Sequence, residues 1–298
     1  MVRSLWTAAT GMISQQLNVD TIANNLANVN TIGYKAEVAE FKSLLYQEIQ
    51  TKTTSANGTT SQQANGNIVD DGKGEVGPNP TVTNVGNKPV GAQVGLGVRN
   101  SAITSIFKQG SLLESESPTS FAISGQGFFA VRGQDGETYY TRNGNFGFTT
   151  AQNGMMLANT DGLPVLDTAG RPIVLGNQYT ASKIGVNKEG QLTYPNEEGV
   201  PQLLNIQIGV FQFTNPAGLE KVDSTMFAAS VASGAAINEA NNNNVQKSEI
   251  VQGYLEGSSV QVADEMVNLI VAQRAYEMNS KAITTTDEML QQANQLKR

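Results

Sequence analysis

Apolar side chains recur every seven residues at both ends of this 298-residue chain, and at closer, alternating intervals between. Near the start, Leu5, Met12, Val19 and Leu26 form one row, with Ala8, Gln15, Ile22 and Val29 as a companion row. Positions three or four apart share one face of a helix, so the two rows make a single stripe interrupted only by Gln15. The spacing predicts a helix roughly 35–40 Å long at about 1.5 Å per residue. Gly33 is its natural stop, because the left-handed conformation that ends helices costs glycine least. At the other end Val262, Leu269, Tyr276, Ile283 and Leu290 repeat at seven almost to the last residue. Ser258 and Gln261 stand before that run as a capping box, and Glu277 with Lys281 makes an i,i+4 pair inside it. Threonines 284–286 weaken this helix locally without ending it.

Between the ends the period changes. "SFAISGQGFFAVRG", "ETYYTRNGNFGF", "LPVLDTAGRPIVL" and "NIQIGVFQF" are short alternating or apolar runs, separated by turn signals at 134–137, 142–145 and 160–163. Strands at this spacing predict an antiparallel barrel or sandwich. The expected class is therefore α+β, with terminal helices pairing as a coiled coil around a central β-rich domain. The expected segments are a helical N-terminal stretch (1–45), an extended arm rich in Gly, Asn and Thr (46–98), and a β-rich domain (99–235). A return linker (236–254) and a helical C-terminal stretch (255–298) complete the chain. A strict seven-residue repeat implies left-handed supercoiling against a partner. The competing arrangement is two surface helices docked on the β domain, apolar faces inward.

Composition narrows the chemistry. Charged residues make up 15% and hydrophobic residues 39%, leaving a polar, uncharged remainder suited to strands, turns and hydrogen-bonding surfaces. A net charge of -7 disfavours nucleic acid and anionic membranes as partners. The chain has no Cys and no His, which removes thiol nucleophiles, histidine bases, catalytic triads and Cys- or His-ligated zinc. The opening "MVRSLWTAATGMISQQ" lacks the apolar core of a secretory signal, and no stretch has the length of a membrane span.

Three motifs invite a chemical reading and do not sustain it. "GQGFFA" (125–130) has the spacing of a dinucleotide fingerprint, but apolar residues continue as strand where a helix must begin. "DDGKGE" (70–75) lacks the ligand spacing of a calcium loop. Asp135, Glu137, Asp161 and Asp167 could supply a carboxylate pair, yet Asp135 and Asp161 each precede glycine, the usual setting of a turn. No enzyme activity, cofactor, metal or small-molecule substrate is expected.

The ends carry a further pattern. "SLWTAATGM" and "ANNLANVNTIGYK" resemble the N-terminal signature of bacterial flagellar rod and hook proteins. "GLGVRNSAI", "FAISGQGFFAV" and "YTRNGNF" resemble that family's β-domain motifs, and residues 251–290 its C-terminal signature. Within the family, the opening and the C-terminal block resemble the distal-rod members more than the proximal rod or hook members. The resemblance implies a non-enzymatic subunit of a hollow helical tube that transmits torque and encloses an export channel. It implies neighbouring rod and hook proteins, the flagellar export apparatus and, where an outer membrane exists, bushing-ring proteins as partners. It also implies a place in the basal body across the periplasm, reached in an unfolded state without a cleaved signal. The expected assembly interface is Leu5, Met12, Val19, Ile22, Leu26 and Val29 with Val262, Leu269, Tyr276, Ile283 and Leu290. Asn24, Asn25 and Asn28 (with Asn30 beside them) would offer donors and acceptors to other backbones without a charge to desolvate. Gly33 and Tyr34 would close the segment where the chain turns outward.

Overall fold

The structure, a computed structural model, describes residues 2–48, 93–151, 154–176, 178–196, 200–242 and 244–296. Most of the expected arm, including "DDGKGE", lies outside them.

Helix α1 spans Val2–Ala27 and helix α2 spans Val262–Gln295. The first ends before Val29 because its asparagines compete for the helix backbone: Asn28 Nδ2 donates to the Asn24 carbonyl oxygen at 2.9 Å and to Asn24 Oδ1 at 3.0 Å. Gly33 then takes φ +72°, and a Cβ there would lie 2.5 Å from the backbone nitrogen of Asn143. Only glycine lets these two backbones approach so closely. The capping box before α2 does not form. Gln261 is the N-cap without a side-chain bond, and the Ser258 hydroxyl accepts from the Val260 N–H instead. Asp264 and Glu265 in the first turn complement the positive helix end in its place. Glu277 pairs with Arg274 at 2.8 Å rather than with Lys281. The threonines stay helical by bonding back, as Thr286 Oγ1 does to the Ala282 carbonyl at 2.7 Å.

The two helices lie side by side and antiparallel. A Cβ on Gly11 would meet the Asn279 side chain, while the Asn25 amide reaches Glu265 Oε1 at 3.3 Å. Between them in sequence comes the β body, which is not a closed barrel. Its largest sheet is open and antiparallel, in the order Glu220–Lys221, Met226–Ala228, Thr138–Thr141, Phe128–Arg132, Val210–Gln212, Ile237–Asn238. The remaining described strands form two- and three-stranded sheets. Short strands with alternating residues set pairing but leave closure open, and here the two edge strands, of two residues each, do not pair with each other.

The strand Phe128–Arg132 explains why its sequence is continuously apolar. Phe129 and Val131 enter one core cluster with Phe121, Ile123, Phe146, Leu157 and Ile208, whereas Phe128 and Ala130 enter a second with Tyr140, Leu166 and Phe213. Successive side chains point to opposite faces of a sheet, so this strand is buried on both. Each fully buried aromatic there stabilises the fold by about 1.5–3 kcal/mol.

Both ends are sewn into the body. Glu37–Ser43 pairs with Val98–Ser105, Glu249–Gln252 with Phe121–Ser124, and Tyr254–Glu256 with Leu112–Glu114. Residues expected as a return linker therefore contribute strands.

Candidate assembly site

On α1, Ile22 is buried, and Leu5, Met12, Val19 and Leu26 are half-buried. Val29 falls in the turn after the helix. On α2, Leu269, Ile283 and Leu290 are half-buried, and their companions Ala272 and Thr286 are buried. Val19 and Tyr276, one member of each predicted stripe, line one groove together with Gln16, Gln273 and Glu277. Val262 and Tyr276 remain exposed at 46% and 42%.

The heptad reading missed a second apolar surface. Met266, Val267, Ile270, Val271 and Met278 are all exposed, Val271 at 62% and Met278 at 66%. At about 100° per residue, they lie away from the Leu269–Ile283 row, so the first turns of α2 carry apolar residues well beyond the predicted stripe. Trp6 and Ile13 are likewise exposed on α1.

The asparagines serve the chain itself. Asn25 is buried; its Nδ2 donates to the Glu37 carbonyl at 2.8 Å and its Oδ1 accepts from the Glu37 N–H at 2.9 Å. That amide completes the backbone pairing of residue 37 as a neighbouring strand would. The Tyr34 hydroxyl donates to Asn25 Oδ1 at 3.2 Å and accepts from Asn24 Nδ2 at 3.3 Å. Lys221 lies 4.8 Å from the centre of the Tyr34 ring and is ion-paired with Glu37. Burial pushes the Tyr34 hydroxyl well above the ordinary phenol value, and the Glu37 and Glu265 carboxylates push it the same way.

Beneath Tyr34 sits a group of charges that sequence reasoning did not single out. Glu256 is fully buried, with Lys35 Nζ on Oε1 at 2.6 Å and Arg142 Nη1 on Oε2 at 3.1 Å. Oε1 also accepts from the Gly110 N–H at 2.9 Å. Lys35 Nζ donates onward to the Lys108 carbonyl at 2.7 Å, and Arg142 Nη2 to the Gly125 carbonyl at 2.8 Å. The Arg142 guanidinium lies 4.9 Å from the centre of the Phe128 ring. Burial lowers the Lys35 ammonium below its usual value, against the upward pull of Glu256. The available signal was one charge in each of three otherwise nearly neutral motifs, "TIGYK", "YTRNG" and "YLEGSS".

The carboxylates weighed for catalysis hold turns instead. Asp167 Oδ1 accepts from the Ala169 and Arg171 N–H groups, and Asp135 takes the Tyr139 hydroxyl and the Glu137 N–H. "GQGFFA" links two strands with Gly125 at φ +142°. Among the described residues no cluster suits a metal ion, and no helix is long and apolar enough to cross a membrane.

Family models match three separate stretches. These are "Flagella basal body rod protein" over residues 5–35, "Flagellar hook protein FlgE/F/G D1 domain" over 122–194, and "Flagellar basal body rod FlgEFG protein C-terminal" over 251–296. The chain is 38% identical to the flagellar basal-body rod protein FlgG of Borreliella burgdorferi, with all of both chains covered. The chain belongs to the flagellar basal-body rod protein family. Rod proteins of the same name from Caulobacter vibrioides and Bacillus subtilis are 37% and 33% identical, over 99% and 100% of this chain and the whole of each relative. The rod family is structural, not enzymatic, and this chain carries its domains in order. Lys35 closes the N-terminal match, and Glu256 lies just inside the C-terminal one.

Proposed function

We propose that this chain is the repeating subunit of the distal flagellar rod, polymerising through its terminal helices into a straight, hollow drive shaft. Pairing of the α1 and α2 stripes as a coiled coil would form the inner wall around an export channel, with the β body outward. The named interface, Leu5 to Leu26 on α1 and Val262 to Leu290 on α2, supplies that wall. Torque passes from the motor to the hook through lateral burial repeated at every subunit. Its partners are further copies, adjoining rod and hook proteins, the export apparatus that delivers the chain unfolded, and bushing-ring proteins where an outer membrane exists. Its place is the basal body, across the periplasm.

The observation that carries this reading is the run of apolar residues in the first half of α2 that stays exposed in the single chain, at Met266, Val267, Ile270 and Val271. An exposed apolar surface of this kind is one that neighbours cover. Electron microscopy of the concentrated full-length protein, alone and seeded with isolated basal bodies, tests it. Straight hollow polymers are expected. Curved polymers would transfer the chain to the hook, and monodisperse particles even with seeds would overturn the reading.

A further inference from the structure

Glu256 joins three parts of the chain at one buried point: Lys35 from beyond α1, Arg142 from the β body, and its own strand leading into α2. The other ion pairs between these parts, Lys221 with Glu37 and Lys188 with Glu249, are more exposed. Both carboxylate oxygens are occupied by buried cations; Lys35 has one backbone carbonyl besides, and Arg142 one backbone carbonyl and the face of the Phe128 ring. Without Glu256, Lys35 and Arg142 would be two like charges facing each other away from water. The Arg142 charge already opposes protonation of Lys35 in that site.

We propose that Glu256 is a latch that orders docking: the N-terminal segment closes on the β body only after the C-terminal strand has delivered its carboxylate. The segment's other bonds point to the same sequence of events. The Gly33 N–H donates to the Glu256 carbonyl at 2.8 Å, the Ala36 N–H to Ser259 Oγ at 2.9 Å, and the Ser259 N–H to the Tyr34 carbonyl at 3.1 Å. Residues 33–36 thus dock largely onto the C-terminal segment. That segment, in contrast, pairs with Phe121–Ser124 and Leu112–Glu114 and needs no part of α1 to do so. In a chain exported unfolded, such an order would keep α1 free until the body is complete. The latch acts within the single chain, whatever the shape of a polymer.

The test is hydrogen exchange on the full-length protein carrying Glu256→Gln, which keeps the side chain's shape and removes its charge. Amides of Gly33, Ala36 and Ser259 should lose protection by about a hundredfold or more, the effect of stranding buried partners. Amides of Phe121 and Leu157, bonded inside the body, should stay protected within about threefold, because their foldon is separate. Adding Lys35→Met, which removes one of the two stranded cations, should restore much of the lost protection at Gly33. If body and N-terminal amides loosen together, or if Lys35→Met adds to the loss instead of reversing it, no latch exists.

Discussion

The β body and helix α2 use similar apolar residues to opposite ends. In the body, the five-residue strand Phe128–Arg132 buries four side chains in two clusters. In α2, 34 residues bury only Ala272 and Thr286, while Val267, Ile270 and Val271 face solvent. Apolar content therefore does not measure burial within one chain. The body folds against itself; the helix leaves much of its apolar surface uncovered in the single chain. Between them lies the junction of Tyr34, Lys35, Arg142 and Glu256, polar groups buried as thoroughly as any phenylalanine.

The contrast breaks most visibly in the body. Phe129 is fully buried and packs edge-on against Phe146 with centroids 5.1 Å apart. Phe129→Ala should cost about 3–5 kcal/mol, the range for deleting a buried aromatic, read as a lower urea midpoint for the monomer. A loss under about 1 kcal/mol would mean that the body is no more self-contained than the helices.

Much of this architecture could be read before any coordinates. The α1 helix emerged from its spacing and the Phe128–Arg132 strand from an unbroken apolar run, whereas Gly33, expected as the helix stop, lies six residues past the end of α1 at Ala27. What stayed hidden shares a physical cause: it depends on residues far apart in sequence. Lys35 and Glu256 are separated by 221 positions, and Arg142 and Glu256 by 114. No local period reports such a meeting. Closure of a barrel is hidden for the same reason, since strand patterns fix faces and neighbours but not whether the last strand finds the first. Local rules failed where an alternative bond was nearer, as when Arg274 took Glu277 from Lys281. Asn25 was legible as a hydrogen-bonding residue, but its partner was the chain's own residue 37.

A smaller effect probes the junction through pH. The Tyr34 phenol is held protonated in the folded chain mainly by burial. A group whose folded pKa is raised contributes stability that is complete below the unfolded value near 10 and is lost as pH climbs above it. Tyr34 should therefore steepen the alkaline loss by about 1.4 kcal/mol per pH unit while it alone stays protonated. Lys35, lowered by burial, runs the other way and gains as pH rises. Tyr34→Phe should flatten the stability curve by about 1 kcal/mol between about pH 10 and 11, where the unfolded phenol is only partly ionised. Urea unfolding at stepped pH measures it, and an unchanged slope would show that Tyr34 opens to solvent in the native chain.

The smallest expected change in stability is also the sharpest comparison. Ile270 is 55% exposed and belongs to the outer surface of α2, away from the Leu269–Ile283 row. Ile270→Asp in the single chain removes little burial, so its unfolding midpoint should move by no more than about 0.5 kcal/mol. In a polymer the same carboxylate would be forced among apolar side chains of neighbouring copies, at a cost no tube wall offsets without a cation beside it. Sedimentation of concentrated protein should then find wild type in the pellet and the variant in the supernatant, although both melt alike. Equal pelleting would assign the outer face of α2 to solvent and leave the α1-facing stripe as the whole interface. Equal loss of stability and assembly would mean that α2 is part of the monomer's own core, and the difference between helix and body would disappear.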